Sequence, residues 1–181
     1  MAELDSIVLG GGCFWCIETL YNDLKGVQSA ISGFAGGHVE NPSYRQVVRG
    51  NTGHAEVVKV TFDPEVISLQ DILNIFFTVH DPTTVNRQGN DVGPQYRSIV
   101  LYKNEEQKNL TNKTIKRFDE EVWDDPIVTQ VEELEEFYPA EEYHQRYFEK
   151  NPNQGYCNFV IKPKVQKFRK KYFDMLKAEA K

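Results

Sequence analysis

The chain has 181 residues, 40% of them hydrophobic, with 27 acidic against 21 basic side chains and a formal net charge of −6. That supplies one domain spanning residues 1–181, with a core at about residues 5–160, and enough apolar surface to need no metal or disulfide staples. The acidic balance argues against nucleic-acid or membrane-surface partners, no run reaches the ~18 apolar residues of a membrane span, and the start lacks the basic and apolar regions of an export signal, so the expected location is cytoplasmic.

Residues 5–9, Asp-Ser-Ile-Val-Leu, predict a short buried strand closed by Gly10, Gly11 and Gly12. Phe14, Ile17, Leu20, Tyr21 and Leu24 recur at helical spacing, and Gly26 is a natural stop. Residues 27–34 and 55–62 alternate as strands, the second ended by Asp63-Pro64. Leu69, Ile72, Leu73 and Phe76 predict a helix with Ser68 as its N-cap, and residues 97–102 a further strand. The order β-α-β-β-α-β predicts an α+β fold: a two-layer ferredoxin-like (split β-α-β) sandwich with helices on one face.

Beyond it, a helical and loop extension is expected. It holds a charged helix at about residues 105–121, an edge strand at residues 127–131, a helix at residues 140–150, and a C-terminal helix at about residues 163–177, with Pro163 in its first turn. Residues 36–54, 80–96 and 151–160 are polar and rich in Gly, Pro and Asn. Long ordered loops are often functional, and these three also carry Tyr, Asp, His or Cys, as if gathered around one site.

The chain holds three cysteines, two of them in Gly-Gly-Gly-Cys13-Phe14-Trp15-Cys16. An odd count without an export signal points to thiols kept for reactivity in a reducing compartment rather than to a disulfide framework. A glycine turn from strand to helix aims free backbone N–H groups and the positive end of the helix dipole at Cys13. There the thiolate is favoured and the pKa is expected to fall. Phe14 and Trp15 leave the helix on different faces, so at least one can flank the thiol as an apolar wall. The residues alone leave several readings open. One is a Cys-x-x-Cys redox centre, although the strand order is not that of a thioredoxin. Another is a zinc site completed by Cys157 and one of His38, His54, His80 or His144. The others are a Cys13 nucleophile with Cys16 or Cys157 as resolving thiol, and acyl transfer by a Cys–His pair.

Gly-Cys13-Phe14-Trp15 resembles the signature of the A-type peptide-methionine sulfoxide reductases. Five further segments resemble that family in the right order: Asn41-Pro42-Ser43-Tyr44; Thr52-Gly53-His54-Ala55-Glu56; His80-Asp81-Pro82 with Arg87 to Ser98; Tyr143-His144-Gln145; and Asn151-Pro152 with Gly155-Tyr156-Cys157. The resemblance implies an enzyme that reduces the S epimer of methionine sulfoxide, in proteins and free. It also implies a set of roles. Cys13 is the nucleophile, Glu56 the acid, and Tyr44 and Tyr96 the hydroxyl donors to the sulfoxide oxygen. Asp91 is a polar substrate contact, and Phe14 and Trp15 form the pocket for the methyl group on sulfur. Cys13 would pass through a sulfenic acid to a disulfide recycled by thioredoxin, without a bound metal or organic cofactor, in a monomer.

Cys157 matches the family's resolving position, in a mobile C-terminal segment. Cys16 stands where glycine is commoner. Two Cβ atoms at i, i+3 on one helix are ~5–6 Å apart, against ~3.8 Å in a disulfide; a frayed first turn would admit Cys16 and a relay through all three thiols stays open, and Cys157 is the expected resolving thiol. Phe34 also departs from a frequent Tyr. The alternatives to this reading are a general Cys-x-x-Cys thiol-disulfide oxidoreductase and a zinc-stabilised interaction module.

Overall fold

The computed structural model describes residues 3–181. The first strand, β1 (Asp5–Gly10), is followed by α1 (Phe14–Asn22), β2 (Val27–Ala35), a short α2 (Tyr44–Val48) and β3 (Ala55–Phe62). Then come α3 (Leu69–Val79), a small hairpin of β4 (Arg87–Gln88) and β5 (Asp91–Val92), β6 (Ile99–Tyr102), α4 (Glu105–Glu121), β7 (Gln130–Glu133) and β8 (Phe137–Pro139). The chain ends in α5 (Tyr147–Lys150), a π turn at Cys157–Ile161, α6 (Lys162–Lys171) and two 3-10 turns.

One six-stranded sheet carries the fold, in the order β7-β6-β1-β3-β2-β8. Its pairings are antiparallel except for β6 with β7. Alternation along β3 sorts its side chains by face. Val58, Val60 and Phe62 join the main core with Leu20, Tyr21, Phe76 and Phe77, whereas Ala55 and Val57 join a smaller cluster with Val8, Ile99 and Leu101. Glu56 shares the parity of Val58 and so lies on the helix-covered side. Two side-chain hydrogen bonds lock that layer: Tyr21 Oη donates to the Ile72 carbonyl at 2.8 Å, and Trp123 Nε1 to that of Phe77 at 2.9 Å. Ser68 caps α3, accepting from Asp71 N–H at 3.0 Å.

Three sequence expectations change. The edge strand forms at Gln130–Glu133, not at residues 127–131, because its partners are Ile99–Tyr102 in parallel register. No continuous helix spans residues 140–150. A 3-10 turn at Glu142–His144 is separated from α5 by Arg146, which sits in the left-handed region at φ 54°. The C-terminal helix does not run over residues 163–177: helical structure begins at Gly155 and continues through the π turn, Pro163 falls in the first turn of α6, and α6 ends at Lys171. The loops are also more ordered than their composition implies, since α2 lies inside residues 36–54, with a Ser43–Gln46 capping box, and the β4–β5 hairpin inside residues 80–96.

Candidate active site

The glycine run is set by packing as well as by the turn. A Cβ on Gly10 would lie 2.9 Å from the Glu56 carbonyl oxygen, and one on Gly11 would lie 2.8 Å from His80 Cδ2. Gly12 takes φ +89°, which favours glycine. The run therefore presses the end of β1 against β3 and His80 and delivers the chain into α1 at a fixed place. Cys13 is the N-cap, with extended φ −64° and ψ 125°, and is half-buried.

The Cys13 side chain accepts no capping hydrogen bond from α1, while Phe14 N–H donates to Glu56 Oε1 at 3.1 Å. Glu56 is 1% exposed, and its Oε2 is without a protein partner among the described residues. Burial pushes its carboxyl up to about 8, against the opposing pull of Phe14 N–H. At neutral pH this group holds its proton.

The expected lowering of the Cys13 pKa is not found. Burial, and next the nearby Glu56 carboxylate, raise the thiol well above its ordinary value, and Trp15 N–H offsets this only in part. The dipole argument treated the helix start as open to water. In the folded chain the sulfur is taken out of water and shares the helix start with an acid, so desolvation outweighs the dipole. The resting pair is a neutral thiol beside a neutral carboxyl.

Tyr44 opens α2, its N–H donating to the Glu141 carboxylate at 3.2 Å. Tyr96 ends the 3-10 turn at Pro94–Tyr96. Burial first, and the Glu56 charge once that carboxyl ionises, push both hydroxyls above their ordinary value, so both stay protonated at neutral pH. Phe14 is buried and stacks on Tyr44 at 6.2 Å between ring centroids. Trp15 is half-buried and stacks on Tyr147 at 3.8 Å and 9°. Its Nε1 donates to His144 Nδ1 at 3.1 Å. Asp91 accepts from Tyr156 Oη at 2.6 Å. Every sequence-predicted site residue except Cys157 is thus gathered at the start of α1.

Cys16 is buried and lines the same narrow cleft as Cys13, with Asp91, Tyr156 and Lys164 around it. Burial raises its thiol to about 11. Since Cys13 is an extended N-cap and only Cys16 lies within the helix, the spacing that applied to two helical residues does not apply here. Cys157 is 0% exposed in the main core, within the π turn, and does not line that cleft.

Sequence reasoning considered His144 only as one possible zinc ligand and gave no role to Tyr147 or Tyr156; together the three complete the aromatic wall around Trp15. Their signal was present in Tyr143-His144-Gln145 and Gly155-Tyr156-Cys157, but a wall made by residues 130 positions from Trp15 has no local periodicity (the His144 bond spans |i−j| = 129). The histidines do not build a metal centre. His80 is buried neutral, its pKa lowered to about 4 by burial, with Nδ1 on the Phe76 carbonyl and Nε2 on Ser98 Oγ. His54 contacts Gly37 N–H and the Val39 carbonyl. Among the described residues no three His, Cys, Asp or Glu side chains gather as metal ligands, and no helix is long and apolar enough to cross a membrane. A roomier pocket of ≈ 590 Å³ lies away from the thiol, lined by His38, Glu132, Glu135 and Glu136.

Comparison with known proteins agrees with this geometry. The family described as peptide methionine sulfoxide reductase matches residues 5–177. A peptide methionine sulfoxide reductase MsrA of Leptospira borgpetersenii serovar Hardjo-bovis is 55% identical over 174 residues, covering 96% of this chain and 98% of that one. The structure of methionine sulfoxide reductase A of Corynebacterium diphtheriae superposes with a TM-score of 0.81 at 34% identity, covering 86% of this chain and 78% of that chain. Mxr1 from Saccharomyces cerevisiae, in complex with Trx2, matches with a TM-score of 0.58 at 27% identity, covering 80% and 85%. By a family match over residues 5–177 and relatives of this identity and coverage, this chain belongs to the peptide methionine sulfoxide reductases of the MsrA type, and is an oxidoreductase.

Proposed function

We propose that the chain reduces the S epimer of methionine sulfoxide, in proteins and free, through a sulfenic acid on Cys13. The observation that carries this reading is the buried Glu56 carboxyl, raised to about 8 and fixed on the amide that follows Cys13. A sulfoxide sulfur is a poor electrophile until its oxygen is protonated. Glu56 supplies that proton, with the neutral hydroxyls of Tyr44 and Tyr96 donating to the same oxygen. The Cys13 sulfur then attacks the sulfoxide sulfur, and its own proton leaves as the new bond forms. Loss of that proton only at this moment reconciles a raised resting pKa with a nucleophilic role. The sulfoxide oxygen ends on Cys13, the substrate sulfur gains two electrons and leaves as the thioether, and the Cys13 sulfur is oxidised by two electrons. The thiol proton restores Glu56. Phe14 and Trp15 receive the methyl group on sulfur, and Asp91, oriented by Tyr156, contacts the polar part of the substrate.

The sulfenic acid then condenses with a second thiol. Cys16 is favoured for this step, because it lines one cleft with Cys13, whereas Cys157, buried in the same core cluster as Cys16, does not. The Cys16 sulfur attacks Cys13 Sγ, the S–O bond breaks, and the hydroxide leaves with the Cys16 proton as water. A dithiol reductant reopens the disulfide. The relative Mxr1 in complex with Trx2 supports thioredoxin as that donor. The order β6-β1-β3-β2 within the sheet supports the ferredoxin-like, split β-α-β description of the core, and a main core cluster that runs from Ile7 to Ala180 supports a single domain. Reduction of methionine sulfoxide by dithiothreitol tests the activity. Cys13→Ser is expected to abolish it, and turnover by that variant would contradict the assignment.

A further inference from the structure

Glu18 lies one turn into α1 from Cys13, is 1% exposed, and takes no part in the chemistry above. A carboxyl so buried is costly unless it is hydrogen-bonded. Its Oε1 accepts from the backbone N–H of Arg146 at 2.7 Å. Arg146 is one of three non-glycine residues with positive φ among the described residues. Its left-handed turn sits between His144 and Tyr147, two of the side chains that meet Trp15. Next to it, the Gln145 side chain accepts from Ser32 N–H at 3.0 Å and donates to the Ser32 carbonyl at 2.9 Å and the Ala140 carbonyl at 3.1 Å. Residues 144–147 have little regular structure of their own, so these side chains hold them against α1 and β2.

We propose that Glu18 is a positioning residue for substrate binding: by fixing the Arg146 backbone it sets His144 and Tyr147 against Trp15, and so sets the wall that receives the sulfoxide methyl group. The proposal rests on Trp15 being part of that wall. Because α1 carries Cys13 at its cap and Glu18 in its body, one helix then places both the nucleophile and the surface that aligns its target. Glu18 touches neither substrate nor reacting atoms; it acts through the 144–147 segment. Loss of the contact costs alignment and affinity rather than proton transfer.

The test compares Glu18→Met, which keeps shape but offers Arg146 no oxygen acceptor, with Glu18→Gln, which keeps a carbonyl oxygen. KM and kcat for methionine sulfoxide are measured with dithiothreitol, together with acrylamide quenching of Trp15 fluorescence in a Trp123→Phe background. The expected result for Glu18→Met is a KM raised about tenfold with kcat within about twofold of the parent, and a Trp15 more open to quencher. Glu18→Gln is expected to stay near the parent in both. A folded Glu18→Met with parental KM and parental quenching would overturn the proposal, as would Glu18→Gln behaving like Glu18→Met. Should Glu18→Met fail to fold, hydrogen exchange of the Arg146 amide in the unaltered protein decides: slow exchange supports the contact, and exchange at the free-peptide rate overturns it. Trp15→Leu run in parallel separates the premises, because an unchanged KM there would overturn the assignment of the wall itself, while quenching and exchange still report on Glu18.

Discussion

The backbone N–H of Phe14 donates to Glu56 Oε1 at 3.1 Å, which ties the acid on β3 to the residue that follows the thiol on α1. One hydrogen bond thus sets the relative position of proton donor and nucleophile across two elements 42 residues apart in sequence. The site is arranged to deliver a proton before it needs a charged sulfur.

The pH dependence of the first step follows from Glu56. Its carboxyl is raised to about 8 by burial, so the protonated, donating form prevails below that value and is lost as pH rises through it. Single-turnover rates for the parent are expected to fall above about pH 8. Glu56→Gln is expected to be slower by about 10²–10⁴-fold and to lose that fall. A parental single-turnover rate in Glu56→Gln would remove Glu56 as the acid.

Stability has a matching dependence. Burial raises Glu18 to about 7 and Glu56 to about 8 in the folded chain, whereas an unfolded Glu titrates near ~4.3. Groups raised on folding contribute stability that is fully present below the unfolded value and lost as pH rises through the folded one. The parent is expected to be less stable at pH 9 than at pH 6, and Glu56→Gln to recover on the order of 2 kcal/mol of that loss. Urea midpoints at the two pH values check this, and parallel losses in parent and variant would contradict it.

Gly11→Ala tests the packing that places the thiol. The added Cβ would lie 2.8 Å from His80 Cδ2, and the His80 ring is fixed by bonds at both nitrogens. Overpacking of this kind costs about 1–3 kcal/mol. Denaturation should show that loss, together with a slower first step as β1 and Cys13 are displaced. Parental stability would mean that the ring yields.

Tyr156→Phe removes the 2.6 Å bond to Asp91 and leaves the carboxylate free to turn to solvent. A hydrogen bond to a charged group is worth roughly 1.5–3 kcal/mol, so kcat/KM is expected to fall by about tenfold, mainly through KM. An unchanged KM would separate Asp91 from substrate binding.

Much of this was legible in the sequence where one face of a regular element is buried. Alternation in Ala55–Phe62 and helical spacing in Leu69–Val79 carry their own assignments, and Ser68 marks its helix start. The site's first layer was legible through motifs around Cys13, Tyr44, Glu56, Asp91 and Tyr96. What was hidden depends on contacts distant in sequence. Arg146 breaks the expected helix because its amide is taken by Glu18, and Gln145 is bonded to Ser32 rather than to its own turn. The Cys13 pKa was misjudged for a similar reason: the helix start is visible in sequence, but the burial and the neighbouring Glu56 that outweigh it are not.

The central claim is that the sulfoxide oxidises Cys13, which Cys16 then captures. It is tested most directly by treating the reduced protein with one equivalent of methionine sulfoxide, without reductant, and mapping the thiols. The account predicts that Cys13 and Cys16 become joined while Cys157 still reacts with alkylating reagent after unfolding. Three free thiols after methionine has formed, or a Cys16 and Cys157 pair with Cys13 still free, would contradict it.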